Sequence, residues 1–225
     1  IDVHFGVGAT AAFRVNQSST GRTTTFKNDD EVPLGETQLL TSGALTNISQ
    51  IWTAGPQFGF RYKKFLLKGE YYHVGVQHDN VAASINPPAI GFDGWYVAAN
   101  YTLFGHGRGY NEKIAAFTTP GVEYDFDPAK GHWGALEVSG RWSVTDLRTS
   151  GTTKMTGTVI NTAGETGNKQ TVWQGGLNWY PNQHIKVMLD YTHFSVSSYN
   201  GAKSTDANFF GRSGNAVVGR VQAAF

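Results

Sequence analysis

No cysteine occurs in the chain, which excludes a disulfide framework and any thiolate metal site. Charge of one sign is also lacking. The formal net charge is only +1, which excludes a strongly basic nucleic-acid binder. No stretch approaches the roughly 20 consecutive apolar residues that a transmembrane helix requires, and the mean hydropathy is negative. These absences exclude a helical membrane protein. They leave a strand-built one untouched, because a barrel strand is apolar only at alternate positions. Proline is sparse at 7, whereas glycine reaches 28 and aromatic residues make up 13% of 225 residues. That is a turn-rich, aromatic-rich β composition, of a length that suits one all-β domain or two small ones. No secretion signal precedes Ile1, which already lies in an alternating run, as expected of a mature protein or of a fragment beginning inside a strand.

Alternation of apolar and polar residues recurs in eight segments. Ile1 to Val15 places Val3, Phe5, Val7, Ala9, Ala11 and Phe13 opposite Asp2, His4, Thr10 and Arg14. Segments 51–62, 65–76, 95–103, 134–145, 171–180 and 185–194 repeat the pattern, and the last run ends on Val221, Ala223 and Phe225. Each reaches the ~9–11 residues that a tilted strand needs to cross a bilayer. The terminal aromatic, Phe225, reads as the insertion signal of an outer-membrane barrel, set on the lipid side of its strand.

The connections alternate in length. Lys63-Lys64 and Pro181 to His184 are tight turns, whereas 16–50, 77–94, 146–170 and 195–214 are longer and rich in Ser, Thr, Asn, Gly and Asp. Short turns on the periplasmic side and long loops outside are the habit of up-and-down barrels. One connection fits badly: Leu103 to Trp133 belongs on the turn side but is long, with a Gly105-His106-Gly107-Arg108-Gly109 stretch expected to be flexible. Tryptophan adds a further sign. Trp52, Trp95, Trp142 and Trp173 fall toward the loop ends, and Trp133 and Trp179 toward the turn ends with Tyr62 and Tyr101. Two membrane interfaces select two such belts, whereas a soluble sandwich would gather its rings mid-strand. The expectation is one all-β domain over residues 1–225, a transmembrane antiparallel up-and-down barrel with eight strands in view.

Several segments resemble the phosphate- and polyphosphate-selective porins of the O and P type. They are Leu66-Leu67-Lys68-Gly69-Glu70-Tyr71-Tyr72, Gly94-Trp95-Tyr96-Val97 with Asn100-Tyr101, and Leu136-Glu137-Val138-Ser139-Gly140-Arg141-Trp142-Ser143 ending at Asp146-Leu147. The most specific is Gly176-Leu177-Asn178-Trp179-Tyr180-Pro181-Asn182, followed by Met188-Leu189-Asp190-Tyr191. The likeness runs from about Ile51 to Phe225, with a weaker match before it. It implies the carboxy-terminal half of a sixteen-stranded homotrimeric anion channel in a Gram-negative outer membrane. Lipid, lipopolysaccharide and the barrel-assembly machinery are its implied partners, with no nucleic acid and no cofactor. The family's arginine ladder and constriction loop lie mainly in the other half, and Lys113 falls where the family places basic residues.

On the positions read as inward, the bases are Arg14, Arg61, Lys68, Arg141, Lys186 and Arg220, and the acids are Glu70, Glu137 and Asp190, with Asp2 at the start. A basic excess favours anions, unless Glu137–Arg141 and Lys186–Asp190 pair within their own strands. No catalytic residue is assigned. The seven histidines (His4, His73, His78, His106, His132, His184 and His193) show no zinc-ligand spacing. Ser143, Asp190 and His193 lack the marks of a strained nucleophile turn. Asp29-Asp30-Glu31 reads as a solvated loop or a divalent-cation site beside lipopolysaccharide. A complete eight-stranded barrel acting as anchor, adhesin or lipid-modifying enzyme is the competing expectation, and a soluble sandwich the third.

Overall fold

The computed structural model describes residues 1–15, 23–29, 31, 38–42, 45, 47–79, 89–148, 154–155, 158–159, 166–197 and 213–224. Eight long strands form one sheet: β1 (Asp2–Phe13), β2 (Ile48–Tyr62), β3 (Phe65–His78), β4 (Ile90–Phe104), β5 (Ala135–Arg148), β6 (Thr166–Tyr180), β7 (Ile185–Ser197) and β8 (Ser213–Ala223). They stand in chain order and each is antiparallel to its neighbour. That is the expected up-and-down meander. The ring, however, is not closed: β1 and β8 are the two edges and are not bonded to each other.

At the turn ends the strands stop within one residue of where the alternation stops. At the loop ends they run further, for example from Ile90 instead of 95 and from Thr166 instead of 171. The apolar period fades there while backbone pairing continues, since a ladder hydrogen bond does not depend on side-chain polarity. Strand β1 is the exception. It ends at Phe13, and Arg14 lies beyond it, exposed and at a left-handed φ of 54°. Arg14 is therefore removed from the strand alternation that had placed it inward. Phe225 lies outside the described residues, but Ala224 still pairs with His184 (backbone N–H to O, 2.9 Å).

The two tight turns form as their residues dictate. Lys63 takes φ 52°, the sign that a two-residue hairpin asks of its centre. Asn182 Oδ1 accepts from the backbone N–H of His184 and Ile185, both at 2.9 Å, which is an Asx turn. The long connection between β4 and β5 shares their end of the sheet. The Phe126 N–H donates to the Pro181 carbonyl at 2.8 Å, and a Cβ on Gly107 would meet the Lys63 carbonyl at 2.4 Å. Far from being a flexible tether, it is built from a two-residue strand pair (Tyr110–Asn111 with Ala116–Phe117), bridges His106–Gly121 and Asp127–His132, and a 3-10 turn at Pro128–Lys130.

One face exposes large apolar side chains, and the other buries polar ones beside apolar ones such as Leu66 and Val172. Phe5, Val7, Trp173, Leu177, Leu189, Val217 and Val221 stand exposed on one face, while Thr102, Glu137, Ser143, Gln170, Asn178 and Thr192 are buried on the other. On the exposed apolar face Trp95 meets Trp142 edge-on at 4.7 Å, and Trp142 stacks on Trp173 at 4.8 Å. Trp52 packs against His73 at 5.3 Å. At the other end Trp179 Nε1 donates to the Trp133 carbonyl at 2.8 Å, with Phe126 against both rings.

Candidate functional site

The buried polar face holds a cavity of about 300 Å³ that touches β3 through β8. One cavity reached by six consecutive strands requires the sheet to curl around it, so this face is the inner one. Two segments from outside the wall enter the same space. From the loop end comes a short strand pair, Lys27–Asp29 with Gln38–Thr41. Leu40 and Leu45 pack there with Ile48, Val76, Ile90, Phe92, Leu147 and Val196, and Phe26 meets Phe92 at 5.3 Å. Each buried leucine of that cluster contributes ~1.5–3 kcal/mol, so apolar burial holds this segment against the wall. From the turn end comes Arg108, and Phe117 from the same connection rests above Gly59, whose missing side chain leaves the room.

Glu137 and Arg141, weighed above as a pair within one strand, are each held by a different partner. Glu137, fully buried, takes two hydrogen bonds from Arg108: Nε to Oε2 at 2.6 Å and Nη2 to Oε1 at 2.7 Å. Asn100 and Asn178 add donors to the same carboxylate at 3.3 and 3.4 Å. Burial alone would lower the Arg108 pKa, but the Glu137 hydrogen bonds and charge outweigh it and hold the guanidinium above its ordinary value. Arg141 pairs with Glu31, donates to Gln174 Oε1 at 3.1 Å, and lies 4.8 Å from the Tyr96 ring centroid. Glu31 also accepts from Ser143 Oγ at 2.9 Å.

Lys68 Nζ lies 6.0 Å from the Tyr96 ring centroid, and Lys186 Nζ 5.4 Å from that of Tyr180. Lys186 sits among Arg108, Glu137, Asp190 and Arg220. Glu70 is held by the hydroxyls of Tyr72 and Tyr96, both at 2.7 Å. Arg61 pairs with Asp2 near the open edge. Asp190 faces the cavity above Gly176, where an added Cβ would sit 2.2 Å from its Oδ1.

This arrangement is a polar, charged inner face behind an apolar outer one, with the guanidinium groups of Arg108 and Arg141 at the cavity. The family described as phosphate-selective porin O and P matches residues 3–225, nearly the whole chain. The chain belongs to that family. No curated protein matches it. The family is one of channels in the Gram-negative outer membrane, not of enzymes.

The porin's interior brings together Lys68, Arg141 and Asp190 of the residues read from the strands, and adds Glu31 and Arg108, which strand counting misses. Alternation carries no information past a strand end, so neither could be placed by it. Arg108's flanking glycines were the available sign, since they let backbone approach the neighbouring turn closely. Lys113 is instead exposed in the 110–117 hairpin. Asp30 lies outside the described residues, and the Glu31 carboxylate is already taken up by Arg141 and Ser143. The imagined hydrolytic set does not converge. Ser143 and Asp190 face inward, whereas His193 is on the outer face, its Nδ1 2.8 Å from Asn215 Oδ1. Among the described residues no group of three His, Asp or Glu could hold a metal.

Proposed function

We propose that this porin forms part of the wall of a water-filled pore for passive diffusion of small anions, phosphate and polyphosphate among them. The carrying observation is the cavity lined by Lys68, Arg108 and Arg141 against only two acids, Glu31 and Asp190. Guanidinium forks match phosphate oxygens, and a positive lumen concentrates anions. The open edges of β1 and β8 support further strands, because backbone groups facing hydrocarbon must be paired. Eight strands alone enclose an interior just filled by side chains. We therefore read the wall as half of a sixteen-stranded barrel, assembled as a homotrimer among outer-membrane lipid and lipopolysaccharide. Tryptophan clusters at both strand ends suit the two interfaces of such a wall.

The selectivity is weak by construction. Within the inner set Arg61, Arg108 and Arg141 each have a carboxylate partner, and salt screens the remaining charges beyond ~8–10 Å. In planar bilayers under a salt gradient the intact protein is expected to give an anion-selective reversal potential that shrinks as salt rises. Arg141→Gln with Arg220→Gln should bring it to zero or past it. A cation-selective potential in the unmodified channel would overturn the reading.

Orientation has its own test. With no native cysteine to interfere, Lys63→Cys should be shielded from an impermeant thiol reagent on intact cells and Thr153→Cys should be labelled. Reversed labelling would place the turns outside.

A further inference from the structure

The Arg141 site is already filled by a carboxylate that does not belong to the wall. Glu31 reaches it from the loop-end segment, giving one oxygen to Arg141 and the other to Ser143 Oγ. Its side chain is 19% exposed and that of Arg141 34%. Residue 31 holds φ at 60°, a conformation uncommon for a residue with a side chain. Both partners line the cavity that Lys68 and Arg108 share. Two donors converging on two oxygens of one anion, with further bases nearby, is the pattern by which proteins hold an oxyanion. Here the anion is tethered.

We infer that the Glu31 carboxylate is a built-in competitor occupying a phosphate-class oxyanion site made by Arg141 and Ser143, and that a permeating phosphate binds there by displacing it. The inference rests on the anion-channel reading. Displacement does not require the segment to leave the pore, because its anchors lie elsewhere. Asn28 Nδ2 donates to Thr145 Oγ1 at 3.1 Å and Gln170 Oε1 at 3.3 Å, and Leu40 and Leu45 remain in their apolar cluster. Only the Glu31 side chain must swing aside. Phosphate then inherits both donors, and its second negative charge strengthens its hold relative to a carboxylate. Chloride, a single atom, cannot span Arg141 and Ser143 in the same way. The competitor thereby favours passage over retention: it lowers the residence of an anion that would otherwise stay bound.

A tethered ligand competes at an effective concentration on the order of millimolar. Removing it should tighten binding of the free anion. The test is chloride conductance of the intact protein in planar bilayers, titrated with inorganic phosphate, with heat-modifiable mobility confirming that each variant is assembled. In Glu31→Gln the half-blocking phosphate concentration is expected to fall about tenfold. In Ser143→Ala it should rise. In an Arg141→Gln background, Glu31→Gln should change it less than about twofold, since the site is gone. Asp190→Asn removes the same charge from the same cavity and controls for a general field effect. Equal shifts from Glu31→Gln and Asp190→Asn, no shift in Glu31→Gln, or a shift that survives loss of Arg141 would each overturn the inference while leaving an anion-selective channel in place. An unmodified channel without anion preference would overturn the channel reading itself, and the inference with it.

Discussion

Arg108→Met is expected to destabilise the folded wall by about 3 kcal/mol, and adding Glu137→Gln to recover most of that loss. Glu137 has no solvent exposure and Arg108 is its charged partner. Removing the guanidinium leaves a carboxylate buried with only two long amide hydrogen bonds, from Asn100 and Asn178. Breaking one side of a buried pair is the expensive change, whereas neutralising both sides removes the uncompensated charge and often comes close to neutral. Denaturant unfolding of the refolded protein, followed by tryptophan fluorescence, gives the two midpoints. An unchanged midpoint in Arg108→Met would mean that water or a rearranged base already solvates Glu137. A double variant no better than the single would move the cost to lost packing of the arginine stem.

The second large effect concerns assembly. Phe225→Asp is expected to abolish most of the heat-modifiable barrel, and Gln222→Asp to leave it largely intact. Val217 and Val221, on the face that Phe225 shares by alternation, are exposed and apolar. Gln222 stands on the other face, opposite Lys186. A charge on the lipid side costs up to ~2–4 kcal/mol at the bilayer centre and less toward the interface, while the lumen side solvates it. Assembled yield from cells, compared on unheated gels, reads the difference. Equal yields would refute both the facing and the role of the terminal aromatic.

How far the sequence reaches depends on what each residue must satisfy. The faces of β1 to β8 were legible because period-2 alternation is forced when one side meets lipid and the other water. Trp142 and Trp173 could be placed beside one another only by register, yet both belonged visibly to one face. The pairing of charges was not legible. Glu137 and Arg141 share one face of one strand, but each found its partner in a different inserted segment, Arg108 and Glu31. Glycine-rich and polar connections carry no periodic constraint, so their fold follows from tertiary contacts such as Phe26 on Phe92. Arg14 misled for a related reason: alternation continued on paper for one residue after the backbone had turned into the left-handed region.

The cavity is bounded from one end by Glu31 and from the other by Arg108, neither of which belongs to a wall strand. The room in this cavity is thus limited by inserts as well as by the wall strands that line it. A cavity built this way can be reshaped by changing a few insert residues, without altering the strand pairing of the sheet that carries them.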